Sequence, residues 1–230
     1  MNHIDEVYNK KASFYSKHIN RYIVKYVTPN KTILDVGCAD GTLGEYLIKH
    51  YKAKVYGIDI SSEAIASAKN KLDKAVVCNI EKEKLPFKKK FFGIIICGDV
   101  LEHLFDPVGT LTKLREYLKD DGYMILCVPN IANIAVRWNL LWGKFDYQEG
   151  GILDNSHLKF YTKKTLLKLI FDSGMVLKKI EYPSGFSFFF LKEKKIQNSP
   201  TLQKLKELLN KPISSSTLIC SGFITVIKKI

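Results

Sequence analysis

The sequence predicts an α/β protein in which a doubly wound, largely parallel sheet is covered by helices on both faces. Three observations carry this. From residue 32 onward short apolar runs alternate with amphipathic stretches, and the runs are apolar throughout, as strands buried on both faces must be. Glycines and acidic residues gather directly after those runs, where open parallel sheets bind ligands.

In chain order, residues 1–28 carry Phe14, Tyr15, His18, Tyr22 and Tyr26 at helical spacing until Pro29-Asn30 breaks the pattern, so an N-terminal helical segment is expected. Strands are expected at Thr32–Val36, Lys54–Ile58, Ala75–Cys78, Phe92–Cys97 and Tyr123–Val128. Helices are expected at Leu43–Tyr51, Ser62–Leu72 and Val108–Leu118, the last capped by Asp106 with Pro107 at its first position. Residues 129–161 form a long aromatic insertion. After it come a helix at 163–173, a strand at Met175–Tyr182, a second insertion at 185–215 and a closing strand at Leu218–Lys228. The second insertion holds a phenylalanine run at Phe186, Phe188, Phe189 and Phe190, then Leu202, Leu205, Leu208 and Leu209 on one helical face.

Composition narrows the function classes. A chain of 230 residues, 46% hydrophobic and 26% charged, suffices for one α/β core, so residues 1–230 are read as one domain with insertions. No apolar run approaches the roughly 20 residues of a membrane helix, and the first residues lack the apolar stretch of a signal peptide. A soluble cytoplasmic protein is therefore expected. Cys38, Cys78, Cys97, Cys127 and Cys220 stand singly in or beside apolar runs and read as reduced, buried thiols. The net charge of +13 points toward a nucleic-acid partner. Only Arg21, Arg115 and Arg137 are arginine, however, and scattered lysine describes a solvated surface better than a base-reading one.

The loop ILDVGCADG, Ile33 to Gly41, follows the first strand, and Asp59 stands 22 positions after Gly37, the spacing of an acidic residue that accepts ribose hydroxyls. Those features fit a dinucleotide or an adenosyl ligand, and each glycine also serves as an ordinary turn residue. Charge separates the two ligands. A pyrophosphate needs the electropositive helix N-terminus, whereas this loop carries two carboxylates, Asp35 and Asp40, which would repel phosphate and suit a sulfonium or ammonium cation. Ala39 also stands where the second glycine of a dinucleotide loop would fall.

ILDVGCADG resembles motif I of class I S-adenosylmethionine-dependent methyltransferases, VYGIDIS their ribose-binding acidic strand and FFGIIICGDVLEHLFDP their fourth-strand motif. The likeness covers about residues 30–130 and is nearest to the subgroup of ubiquinone-biosynthesis O-methyltransferases and methionine-biosynthesis-associated proteins. It implies a Rossmann-like sheet of seven strands with the last antiparallel, and S-adenosylmethionine as cofactor. Residue by residue it implies that Asp35, Gly37, Cys38, Ala39 and Gly41 hold the methionine portion. Asp59 would take the ribose and Ile60 pack on adenine, while Asn79, where the family often has Asp, and Ile80 meet the adenine edge. Asp99 and Val100 would close the pocket and Tyr15 cover the ligand.

Methyl transfer from a sulfonium requires two positioned reactants and, for many acceptors, a base. His103 and His157 are the candidate bases; each also reads as a residue that ties down its loop. Asp99, Glu102 and His103 form D-x-x-E-H, similar to the E-x-x-E-H that the ubiquinone-pathway enzymes carry and that has been linked to a divalent cation. No metal ligand is assigned here, and that likeness remains an alternative to a purely structural cluster. The aromatic insertion is expected to form the acceptor pocket. The implied activity is methyl transfer to a small molecule, at oxygen, by a monomer or homodimer. A tRNA or RNA methyltransferase and a non-catalytic S-adenosylmethionine-binding partner protein are the alternatives.

Overall fold

A computed structural model describes residues 19–183 and 218–230. Tyr15, most of the expected N-terminal helix and the expected insertion 185–215 with its phenylalanine run lie outside the described residues.

Seven strands form one sheet: β1 (Thr32–Val36), β2 (Lys54–Asp59), β3 (Lys74–Val77), β4 (Phe92–Gly98), β5 (Leu118–Pro129), β6 (Met175–Glu181) and β7 (Gly222–Lys229). Their spatial order is β3-β2-β1-β4-β5-β7-β6. The first five strands pair parallel, and β7 runs antiparallel between β5 and β6, as expected of the last strand. The chain winds outward from β1 to β3, then restarts beside β1 at β4 and winds the other way. The carboxyl ends of β1 and β4 therefore flank the point of reversal, where open parallel sheets bind their ligands.

Described helices are α1 (Arg21–Val24), α2 (Thr42–Tyr51), α3 (Ser62–Ala68), α4 (Pro107–Tyr117), α5 (Ile134–Leu141) and α6 (Lys163–Asp172), with a 3₁₀ turn at Leu101–His103. Their starts follow local chemistry. Ser61 Oγ caps α3 by accepting from Ala64 N, Asp106 accepts from Gly109 N ahead of Pro107, and Thr162 with Thr165 closes a capping box on α6. Differences from expectation are local. Helix α3 stops at Ala68 rather than Leu72. Leu118, expected to end α4, has extended backbone and begins β5, because its fully buried side chain pairs that strand with Phe92 before the register shifts. The insertion 129–161 is not wholly irregular, since it contains α5.

Side chains alternate across the sheet with the period of two that a pleated strand imposes. Leu34, Val36, Ile95, Cys97, Met124 and Leu126 pack on one face with Leu111 and Leu114 of α4 and Leu166 and Ile170 of α6. Ile33, Ile94, Ile96, Ile125 and Cys127 pack on the other with Ile23 of α1, Leu47 of α2 and Ile65 of α3. All five cysteines are buried and free. Among the described residues no helix is long and apolar enough to cross a membrane.

Candidate functional site

Parallel register brings the chemistry of three strands to one edge. Asp35 lies opposite Gly57 of β2 and Ile96 of β4, so the ends of β1, β2 and β4 stop nearly level. The turn after β1 is held by Gly37 N and Cys38 N donating to Ile58 O at 2.8 and 3.1 Å. Gly37 at φ 70° and Gly41 at φ 81° supply left-handed backbone, and Ala39 adopts φ 46° despite its Cβ. A Cβ on Gly37 would stand 2.6 Å from Val100 Cγ2, so the valine packs directly on the bare backbone. Gly37→Ala is expected to destabilise the protein by about 1–2 kcal/mol for the left-handed backbone alone. Val100→Ala should recover the part due to the collision, as read by urea unfolding.

Three carboxylates sit around this loop in different states. Asp35 is buried, and burial first, then the charge of Asp59, pushes its carboxyl up to about 7. Asp59 accepts from Ala39 N and Ser61 N, both at 2.9 Å, while burial outweighs these bonds and raises its carboxyl above the ordinary value. A carboxylate offers about four acceptor directions, so capacity for ribose hydroxyls remains. Asp40 departs from the sequence reading. Lys71 Nζ stands 2.7 Å from Asp40 Oδ2, and Asp40 also accepts from Thr42 N and Oγ1 at the start of α2. Its charge is thus taken up by a lysine 31 positions away.

Other expected cofactor residues divide into side-chain and backbone positions. Cys38 and Ile80 bury their side chains in the core, which leaves only their backbones available to a ligand. Ile60 and Asn79 are half-buried. Asn79 Oδ1 accepts from Glu81 N and Lys82 N, and its own N–H donates to Glu83 Oε1 at 2.9 Å, which organises the turn after β3. Lys113 of α4 donates to the carbonyls of Ile80, Glu81 and Glu83 and pins the same turn from behind.

Beyond β4, Asp99 turns at φ 55° and accepts from Cys127 Sγ at 3.0 Å. Burial raises its carboxyl, against that bond and the nearby charge of His157. Glu102 follows on the 3₁₀ turn, 1% exposed, with neither carboxyl oxygen hydrogen-bonded. Burial and the neighbouring Asp99 push its carboxyl well above its ordinary value. The insertion folds back onto this turn. Leu158 N and Lys159 N both donate to Glu102 O at 2.8 and 2.9 Å, and Tyr161 Oη donates to Leu101 O. That return brings the His157 ring to 4.9 Å from the His103 ring, edge to face. His157 Nδ1 lies 3.1 Å from Ile152 O, and His103 Nδ1 lies 3.2 Å from both Ser156 O and Ser156 Oγ. Rings continue outward from His157 to Phe160, Phe145 and Tyr147 at centroid separations of 6.2, 6.0 and 5.6 Å.

A family model described as a methyltransferase domain matches residues 8–177. The chain belongs to the class I S-adenosylmethionine-dependent methyltransferases. Its fold is that of a methyltransferase from Archaeoglobus fulgidus, with a TM-score of 0.66 at 19% identity over 98% of each chain. An uncharacterised protein of Methanocaldococcus jannaschii is 31% identical over 86% of this chain and 81% of its own length. The ubiquinone biosynthesis O-methyltransferase of Cereibacter sphaeroides is 29% identical over 62% of this chain and 59% of its own length. The match spans only 46–59% of the length of several curated relatives.

The cofactor of this methyltransferase is S-adenosylmethionine, and the end of β1 fits it in one respect. A buried carboxyl held at about 7 by burial and by Asp59 gains from a compensating cation, which a sulfonium and an ammonium group supply. Sequence reasoning missed Asp154, fully buried, which accepts from Ser156 N and Oγ and so aligns the serine that faces His103. The run D-N-S-H at 154–157, polar within an aromatic insertion, was its signal.

Proposed function

We propose that this methyltransferase transfers a methyl group to the oxygen of a small, partly aromatic or apolar acceptor held by residues 129–161. The observation that supports this most is the return of that insertion onto the 3₁₀ turn after β4, which sets His157 beside His103 and near Asp99. In this reading Asp35, Gly37, Ala39, Gly41, Asp59, Asp99 and Val100 border the donor, with the backbones of Cys38 and Ile80 and the side chains of Ile60 and Asn79 at its adenosine end. The two imidazoles stand where an acceptor hydroxyl must shed its proton, and Phe160, Phe145 and Tyr147 supply an apolar wall. Methyl transfer at oxygen also accords with the ubiquinone-pathway relatives. The whole chain acts as one domain, and its buried free thiols suit the cytoplasm.

Calorimetry with S-adenosylhomocysteine and with NAD tests the donor half. Wild type should bind the first and not the second, and Asp59→Ala should weaken binding by roughly 10–100-fold, the loss of hydrogen bonds to a charged group. Binding of NAD in preference would sink the reading. Methylation of RNA is a second reading, supported by the net charge of +13. Steep salt dependence of tRNA binding, coupled to methyl incorporation, would favour it over the small acceptor.

A further inference from the structure

Beside the end of β4 stands a buried thiol that methyl transfer does not need as a nucleophile or a base. Cys127 of β5 lies opposite Gly98 in the parallel register, and Asp99 N donates to Cys127 O at 3.1 Å. Its sulfur is engaged on two sides. Cys127 Sγ donates to Asp99 Oδ1 at 3.0 Å and accepts from Asn20 Nδ2 at 3.6 Å. Burial, then the charge of Asp99, pushes the thiol well above its ordinary value, so it stays an S–H donor near neutral pH. Asn20 is fixed in turn. Its Oδ1 accepts from Tyr22 N and Ile23 N and so caps α1. A Cβ on Gly98 would stand 2.9 Å from Ile23 Cδ1, so α1 lies directly against the end of β4. Asp99, the residue on which these contacts converge, turns at φ 55° in the left-handed region. Burial raises its carboxyl, whereas the bond from Cys127 and then the charge of His157 lower it, so the thiol favours the carboxylate over the protonated acid.

We propose that Cys127 and Asn20 are positioning residues for the methyl donor, holding the Asp99 carboxylate in the orientation and charge state in which it serves S-adenosylmethionine. The inference deepens the reading of Asp99 as a residue that borders the donor, and rests on it. A thiol suits the task because it is small enough to be buried in β5, donates one bond and accepts another, and so joins an amide on α1 to a carboxylate after β4. An apolar side chain of similar size would fill the same space and withdraw the donor. A buried carboxylate that loses a donor tilts toward its neutral form, and a cationic ligand gains less from a neutral carboxyl than from a charged one. The start of α1 thereby becomes part of donor binding, although Asn20 itself touches only the sulfur and its own helix.

Calorimetry with S-adenosylhomocysteine on the full chain tests this, with thermal melts of the same samples. Cys127→Ala and Cys127→Val both lack the donor, and each should weaken binding about three- to tenfold, the worth of one hydrogen bond. Cys127→Ser loses the same sulfur but keeps an O–H donor, and should bind within about twofold of wild type. Asn20→Ser still caps α1 while its shorter side chain leaves the sulfur without the amide, and should weaken binding about threefold. Asp99→Asn removes the charge at a left-handed position that asparagine tolerates, and should weaken binding about tenfold. Adding Cys127→Ala to Asp99→Asn should then cost less than about twofold more, because the thiol acts only through that carboxylate. If the alanine variant fails to fold, the space-filling Cys127→Val carries the comparison. Equal losses in Cys127→Ser and Cys127→Ala, or losses at Cys127 and Asp99 that simply multiply, overturn the proposal and leave Cys127 a packing residue. Normal binding by Asp99→Asn overturns the reading of Asp99 together with the proposal, whereas normal binding by Cys127→Ala beside weak binding by Asp99→Asn overturns the proposal alone.

Discussion

Asp35→Asn is expected to stabilise the ligand-free protein and to weaken S-adenosylmethionine binding by roughly 10–100-fold, the two effects having opposite sign. The carboxyl has an ordinary value of 3.8 and is raised to about 7 by burial and by Asp59. Below pH 3.8 it is protonated whether the chain is folded or not and costs nothing. Between 3.8 and about 7 the unfolded chain ionises more readily than the folded one, so stability falls as pH rises, and above about 7 the penalty is constant. The asparagine variant lacks that penalty, so its melting temperature should exceed that of wild type by a margin that grows across this window and then levels off. Binding follows the ionised form. Wild-type affinity for S-adenosylmethionine should therefore decline as pH drops below about 7, while the variant shows no such dependence over that range. Melts and calorimetry at several pH values read both effects. A variant that is less stable yet binds normally would make Asp35 a structural residue.

Phe223→Ala is expected to produce the largest loss of stability, about 3–5 kcal/mol, with a fall in melting temperature on the order of 10 °C. Phe223 is fully buried in β7, pairs with Val128 of β5 and meets the Tyr182 ring edge-on at 6.1 Å. Because β7 is wedged between β5 and β6, a cavity there loosens both antiparallel pairings. Phe223→Leu keeps most of the volume and should cost less than about 1.5 kcal/mol. Equal losses for the two variants, in urea unfolding, would mean that aromatic geometry rather than volume matters at this position.

The strands were legible because each is an apolar run bounded by breakers, and position in the sheet hardly alters that signal. Helix ends were legible where a side chain caps them, as at Asp106-Pro107. Leu118 was misassigned because helix α4 passes into β5 without a breaker, and only its pairing with Phe92 makes it extended. Glycine and acid spacing marked one edge of the sheet, since Gly37, Gly41 and Asp59 fall where their strands end. Of the two loop carboxylates that the charge argument counted, Asp35 is buried at the end of β1, whereas Asp40 is paired with Lys71, a contact between residues that no local pattern connects.

The sequence by itself determined the class of fold and the donor, because those depend on short-range patterns of polarity and backbone freedom. Tertiary structure alone decided what the insertion meets. His157 reaches His103 across 54 positions of chain, Leu158 and Lys159 donate to the Glu102 carbonyl, and Asp99 turns toward Cys127. Burial and convergence are properties of the packed chain, so which carboxyl is left without a partner is settled only once the insertion has folded back.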